Sequence, residues 1–310
     1  MRSEAVDETQ PGRVARSQRA LDWLNFFIAD VETAFGPFVA VWLSSQGWSQ
    51  GAIGLLISIN TGIALATQMP AGWLVDHIKH KRVVLGVSLA CIAGGALLIA
   101  LFPQTWLVGL GEAMHGVTGG TVRLAIAAIG LGLVGHKAYS RRVGRNHRYD
   151  SIGNAATAGS MGVAGHFLSL QAPFFIGAGL CVPAAIAMFF ISGKEIDPTR
   201  ARQGKKDVKA GRWRDLLRNR PLMMFALVLF LFQFANASLL PLAGERLAAD
   251  HAGQSELVTA ALVVVPQLVT AVIATWIARR SDDWGRRVML AAALGALLLR
   301  SVLFALAVSP

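Results

Sequence analysis

Gly72-Trp73-Leu74-Val75-Asp76-His77-Ile78-Lys79-His80-Lys81-Arg82 is a charged stretch in an otherwise apolar part of the chain. It lies between two apolar segments, residues 51–74 and 83–102, each near the ~20 residues needed to cross a hydrocarbon core. Charges this dense cannot sit in lipid, so the stretch is a short turn at a membrane face. A degraded second version follows at Ala278-Arg279-Arg280-Ser281-Asp282-Asp283-Trp284-Gly285-Arg286-Arg287, again between apolar segments. In both, an aspartate stands four residues past a small residue and basic residues close the turn.

Composition agrees with a membrane setting. The chain is 54% apolar and 15% charged with a mean hydropathy of +0.51, against about a quarter charged in soluble domains. The net charge of +11 does not point to nucleic acid, because the basic residues gather in alternate interhelical segments. Cys91 and Cys181 both fall in apolar runs and no Cys/His metal spacing occurs, so no metal or cofactor is expected. Gly130, Gly132 and Gly135 satisfy a GxGxxG pattern, but in an apolar helical run without a preceding strand, which excludes a nucleotide loop. No nucleophile–base pair is present either, so the chain is not expected to be an enzyme.

Nine spans are expected: 23–43, 51–74, 83–102, 106–134, 152–170, 174–192, 222–242, 257–277 and 288–308. Residues 1–20 read as a polar tail. A basic linker over 194–220 separates a six-helix bundle, residues 21–193, from a three-helix bundle, residues 221–310. The linker is either an amphipathic helix on the inner leaflet, with Trp213, Leu216 and Leu217 on one side, or unstructured. Of 29 Lys and Arg residues, 26 lie in the tail and in the segments after the even-numbered spans, and the opposite segments hold only Arg246. By the positive-inside rule the N-terminus and those segments face the cytoplasm.

The two charged turns resemble the signature loop of the major facilitator superfamily of transporters, G-x-x-x-D followed by a basic residue, x, G and two basic residues. Gly72, Asp76 and Lys81 fit, with His77 at the basic position and Arg82 extending the run, while Lys79 stands where the family has its second glycine. In the second copy Asp282, Gly285, Arg286 and Arg287 fit, and Ala278 replaces the first glycine. Pro37 and Pro241, at similar distances before the two aspartates, support paired halves of the kind this class is built from. The resemblance implies an all-α membrane bundle with six helices per half, so the expectation is a chain truncated after its ninth span. It also implies a monomeric secondary transporter of the inner membrane that moves a small solute by alternating access, in contact with lipid, with protons as the coupling ion to consider. The loop residues would form a cytoplasmic gate. The alternative from another class is a sensor, scaffold or inactive remnant that keeps the helical frame.

Charges at membrane depth mark the candidate transport residues. Asp30 and Glu32 in the first span lie about 200° apart around the helix, with Asp30 on a stripe with Thr33 and Pro37. Each is either a proton or substrate group or a structural acid. In the fourth span Glu112, His115, Gly119 and Arg123 form one stripe. The family's R-x-x-Q-G pattern aligns there with Glu112-Ala113-Met114-His115-Gly116, an acid replacing the arginine and an imidazole the glutamine. The stripe serves either proton coupling or a fixed ion pair bracing the bundle. Gln233 and Asn236 in the seventh span and Arg300 in the ninth are further candidates for a substrate or for helix–helix bonds. Gly116, Gly120 and the glycines of the fifth span are expected to permit close helix packing.

Overall fold

The computed structural model describes residues 10–29, 35–78, 81–196, 218–237 and 255–308. Every regular element among them is helical. They are α1 (Gln10–Ile28), α2 (Phe35–Ser45), α3 (Gln50–His77), α4 (Lys81–Leu101), α5 (Thr105–Phe167), α6 (Ala172–Phe189), α7 (Arg220–Ala237), α8 (Ser255–Trp284) and α9 (Arg286–Val308), with a short 3₁₀ turn at Gly193–Glu195. Pro70, Pro183 and Pro266 lie inside α3, α6 and α8, where each withholds one backbone N–H, a gap that membrane helices tolerate when neighbours or local adjustment satisfy the freed carbonyl.

Among the described residues, four stretches are long and apolar enough to cross a membrane: Gln50–Val75, Lys81–Leu101, Thr105–His136 and Ala172–Phe189. They coincide with the second, third, fourth and sixth expected spans. Their outward faces are greasy, with Leu65, Met69, Trp73, Val83 and Val182 all about two-thirds exposed, as suits contact with lipid. Inward, Leu21, Leu24, Leu85, Ile92, Ile129, Leu133, Phe174 and Ile191 form one core shared by α1, α4, α5 and α6. Trp42 of α2 meets Phe174 edge-on in that core, with ring centroids 5.7 Å apart.

Two stretches expected to be non-helical are helical. The polar tail gives way to α1 at Gln10, because its polar side chains find partners. Ser17, 1% exposed, donates to Glu195 Oε2 at 2.5 Å and accepts from the Ser192 N–H at 3.1 Å, which pins α1 to the end of α6. The basic segment after the fourth span is likewise the start of a helix. Spans four and five join in α5 with no loop, and only Gly135 breaks the helix, at φ 69° and ψ 172°. That left-handed φ is one a side chain resists, so glycine sets the elbow.

Glycines also set how closely helices approach. A methyl group on Gly95 would lie 2.8 Å from the Gly111 carbonyl oxygen, and one on Gly111 2.8 Å from that of Gly95. One on Gly153 would collide with the Phe26 carbonyl, so α1 touches α5 backbone to backbone. Gly116 does the same for α3 against α5, whereas Gly120 has only ordinary contact with Gln68. The packing expected of Gly116 and Gly153 is present. Helix α8 packs mainly along α5, with Gly159 beside Val264.

Candidate functional site

Glu112 is the buried acid of the fourth span, 3% exposed on α5. Asn60 of α3 donates its amide hydrogen to Glu112 Oε2 at 2.5 Å. Oε1 is sealed from solvent and has no hydrogen-bond partner. One turn further along, a methyl on Gly116 would run into the Asn60 side-chain oxygen, so glycine there is what lets the amide reach the acid. Leaving a carboxyl oxygen bare costs about 1–3 kcal/mol, which a well-packed core normally avoids.

The other members of the stripe diverge. His115 and Gly119 are half-buried, and Arg123 is exposed. Arg123 lies near Asp150, where with His147 it draws the Asp150 carboxyl down, against a burial effect that dominates and holds that group above the ordinary carboxylate range. The acid and the guanidinium of one stripe therefore serve different neighbours, α3 and the second part of α5. The fixed brace was one reading of the stripe, but the partner given to Glu112 is an amide.

A second charged centre had little warning in the sequence. Asp22 on α1 is 1% exposed and receives Arg142 Nη2 at 2.6 Å and Arg145 Nη2 at 2.5 Å and Nε at 3.0 Å. Arg142, itself 3% exposed, spends its other donors on the Gln18 carbonyl at 3.2 Å and Asn146 Oδ1 at 2.7 Å. Burial pulls the Arg142 guanidinium below its ordinary range despite the opposing pull of Asp22. Partial burial pulls the half-exposed Arg145 down as well, but Asp22 and Tyr149 together outweigh it and raise that guanidinium. The only sequence hint was an acid, Asp22, at the edge of a basic tail.

The charged turns become helix ends. Asp76 falls in the last turn of α3, and Lys81 Nζ donates to the Val75 carbonyl at 2.7 Å, capping that end. Arg82 donates to the Phe189 carbonyl at 3.3 Å and lies over the Phe189 ring, which ties the turn to the end of α6. Gly72 has only ordinary contact with Leu124. In the second copy Gly285 separates α8 from α9 at φ 80°, the left-handed stop that favours glycine, and Arg287 is exposed. The turns' described neighbours thus belong to their own half. Asp30 and Glu32 lie outside the described residues, as do the side chains of Asp76, Asp282 and Arg286.

In the second half Arg300 Nη1 donates to Asn236 Oδ1 at 2.7 Å, joining α9 to α7. The structure thus brings together two of the three candidates there, while Gln233 is exposed on α7.

Residues 21–310 match the Major Facilitator Superfamily. Two proteins described as uncharacterized MFS-type transporters, from two strains of Mycobacterium tuberculosis, are 32% identical over 302 residues, covering 96% of this chain and 72% of theirs. The inner membrane transport protein YajR of Escherichia coli is 32% identical over 104 residues, 34% of this chain and 21% of its own. The chain belongs to the Major Facilitator Superfamily and is an all-helical, multi-pass membrane protein of the transporter class.

Proposed function

We propose that the chain moves a small solute across the inner membrane by alternating access, with proton uptake and release at Glu112. The observation that carries this is the Glu112 carboxyl: sealed on α5, bonded on one oxygen to Asn60, bare on the other. A carboxyl in that setting holds a proton in one packing and gives it up when α3 and α5 move apart and water enters. The amide of Asn60 can serve both protonation states, because it donates to either form of the acid. Arg300 and Asn236 supply a cation and an amide in the second half, suited to an anionic or polar solute group.

The distribution of basic residues supports a cytoplasmic N-terminus. In that orientation the turns around Asp76 and Asp282 sit at the inner face, where they are placed to act as the gate between a bundle over 21–193 and helices over 221–310. The transporter acts as a monomer in this reading. The test is proton flux in liposomes holding the full-length protein, screened against amino acids, sugars and drug-like compounds. A compound-triggered flux that Glu112→Gln abolishes is the expected result. Transport that proceeds at a pH-independent rate, unchanged in Glu112→Gln, overturns the proton role.

A further inference from the structure

The end of the bundle where α1 meets the elbow of α5 holds a cavity of about 380 Å³ that opens to the surface. Its wall is Gln18, the apolar Leu133, Val134 and Ala138, and three arginines, Arg141, Arg142 and Arg145. We propose that this cavity binds a phosphate-bearing anion, either the headgroup of an anionic glycerophospholipid or a soluble phosphate.

Three guanidinium groups share one cavity, and among the described residues Asp22 is the carboxylate that pairs with them, so two positive charges remain without a counter-charge from it. Asp22 receives donors from Arg142 and Arg145 and none from Arg141, which stands exposed at the rim. Arg142 keeps its donors on Asp22, Asn146 and the Gln18 carbonyl, so the exposed Arg141 and the half-exposed Arg145 are the groups placed to meet an anion. Guanidinium groups match phosphate oxygens in bidentate geometry. The floor is rigid, since bonds to Asp22, Asn146 and the Gln18 carbonyl fix Arg142. An anion arriving there therefore loses little to reordering of the protein. Burial that draws the Arg142 guanidinium down is relieved by the same event.

Size and lining favour more than a bare ion. The volume is roughly ten times the ~30 Å³ share of one water molecule, room for a phosphodiester with its glycerol. Leu133, Val134 and Ala138 give the glycerol and first methylenes an apolar wall. Basic pockets between membrane helices on the cytoplasmic side hold anionic headgroups, and the lipid source rests on the cytoplasmic orientation proposed above. The soluble source does not.

Two probes separate these sources. Native mass spectrometry reads retention of phosphatidylglycerol against phosphatidylcholine, and thermal unfolding in a neutral detergent reads protection by inorganic phosphate. Each is run on the wild type, Arg141→Gln and the charge-keeping Arg141→Lys, with circular dichroism confirming the fold. Preferential phosphatidylglycerol retention, weakened about fivefold by Arg141→Gln and restored in part by Arg141→Lys, assigns a headgroup. Phosphate protection that follows the same order assigns a soluble phosphate and stands whatever the topology. No binding of either probe, or binding equal in all three proteins, overturns the proposal. Transport enters neither readout, so the site is judged apart from Glu112.

Discussion

Asp22 and Glu112 are sealed from solvent to nearly the same degree, at 1% and 3% exposed, yet the bundle surrounds them differently. Asp22 meets two guanidinium groups, one as buried as itself, and its charge is fixed in place. Glu112 meets one neutral amide and keeps an oxygen bare. Burial alone therefore does not say whether an acid is structural or labile. What decides is whether its environment compensates the charged form in full, as around Asp22, or leaves half of the carboxyl without a partner, as around Glu112.

The largest way to break this contrast is Asp22→Asn. It strands the Arg142 charge in the core, and breaking a buried pair costs about 3–5 kcal/mol, with Arg145 adding little because its half-exposed side chain is screened. Thermal unfolding in detergent checks it, and a loss below about 1 kcal/mol would show that the charges are not coupled as described. Next comes Gly116→Ala, whose methyl displaces the Asn60 amide from Glu112. Overpacking of this kind costs about 1–3 kcal/mol. Gly120→Ala, which meets only the Gln68 side chain, serves as its mild control.

Glu112→Gln sharpens the comparison from the other side. The side chain stays isosteric, its oxygen still accepts from Asn60, and stability is expected to change by no more than about 1 kcal/mol. Unfolding as severe as that of Asp22→Asn would place Glu112 among the structural acids.

The smallest effect belongs to Asp150, a third acid outside the membrane spans. Burial raises its carboxyl above the usual range, only partly opposed by Arg123 and His147. The folded chain holds that proton more tightly than the unfolded chain, so the gain is full below the ordinary carboxylate range. It is lost as pH climbs through the raised value. Unfolding temperatures across that window should fall with rising pH in the wild type and fall less in Asp150→Asn. Equal slopes would remove Asp150 from the account.

How much of this was legible beforehand depends on the range of the interaction. Spans two, three, four and six follow from length and hydropathy, which are local properties, and the turn around Gly72–Arg82 was legible for the same reason. Glu112 was marked because an acid in an apolar helix is conspicuous. Its partner was not, because Asn60 resembles any other amide in an apolar run and only the approach at Gly116 joins them. The Asp22 centre stayed hidden because its arginines read as one more basic loop. Their helix depends on contacts more than a hundred residues away in sequence. The helix that begins within the polar tail stayed hidden likewise, as Ser17 is polar by type but buried once Glu195 and Ser192 are near.

The separation of 120 positions between Asp22 and Arg142 also has a meaning in time. A ribosome adding about 5–20 residues per second leaves that aspartate waiting for roughly 6–24 s before its guanidinium partner is made. Through that interval three further expected membrane spans emerge before the arginines that bind Asp22 exist. Synthesis past the Gly135 elbow is then the event that locks the earliest helix. A pause before that elbow would prolong the exposure of the chain's first segment to quality-control proteases.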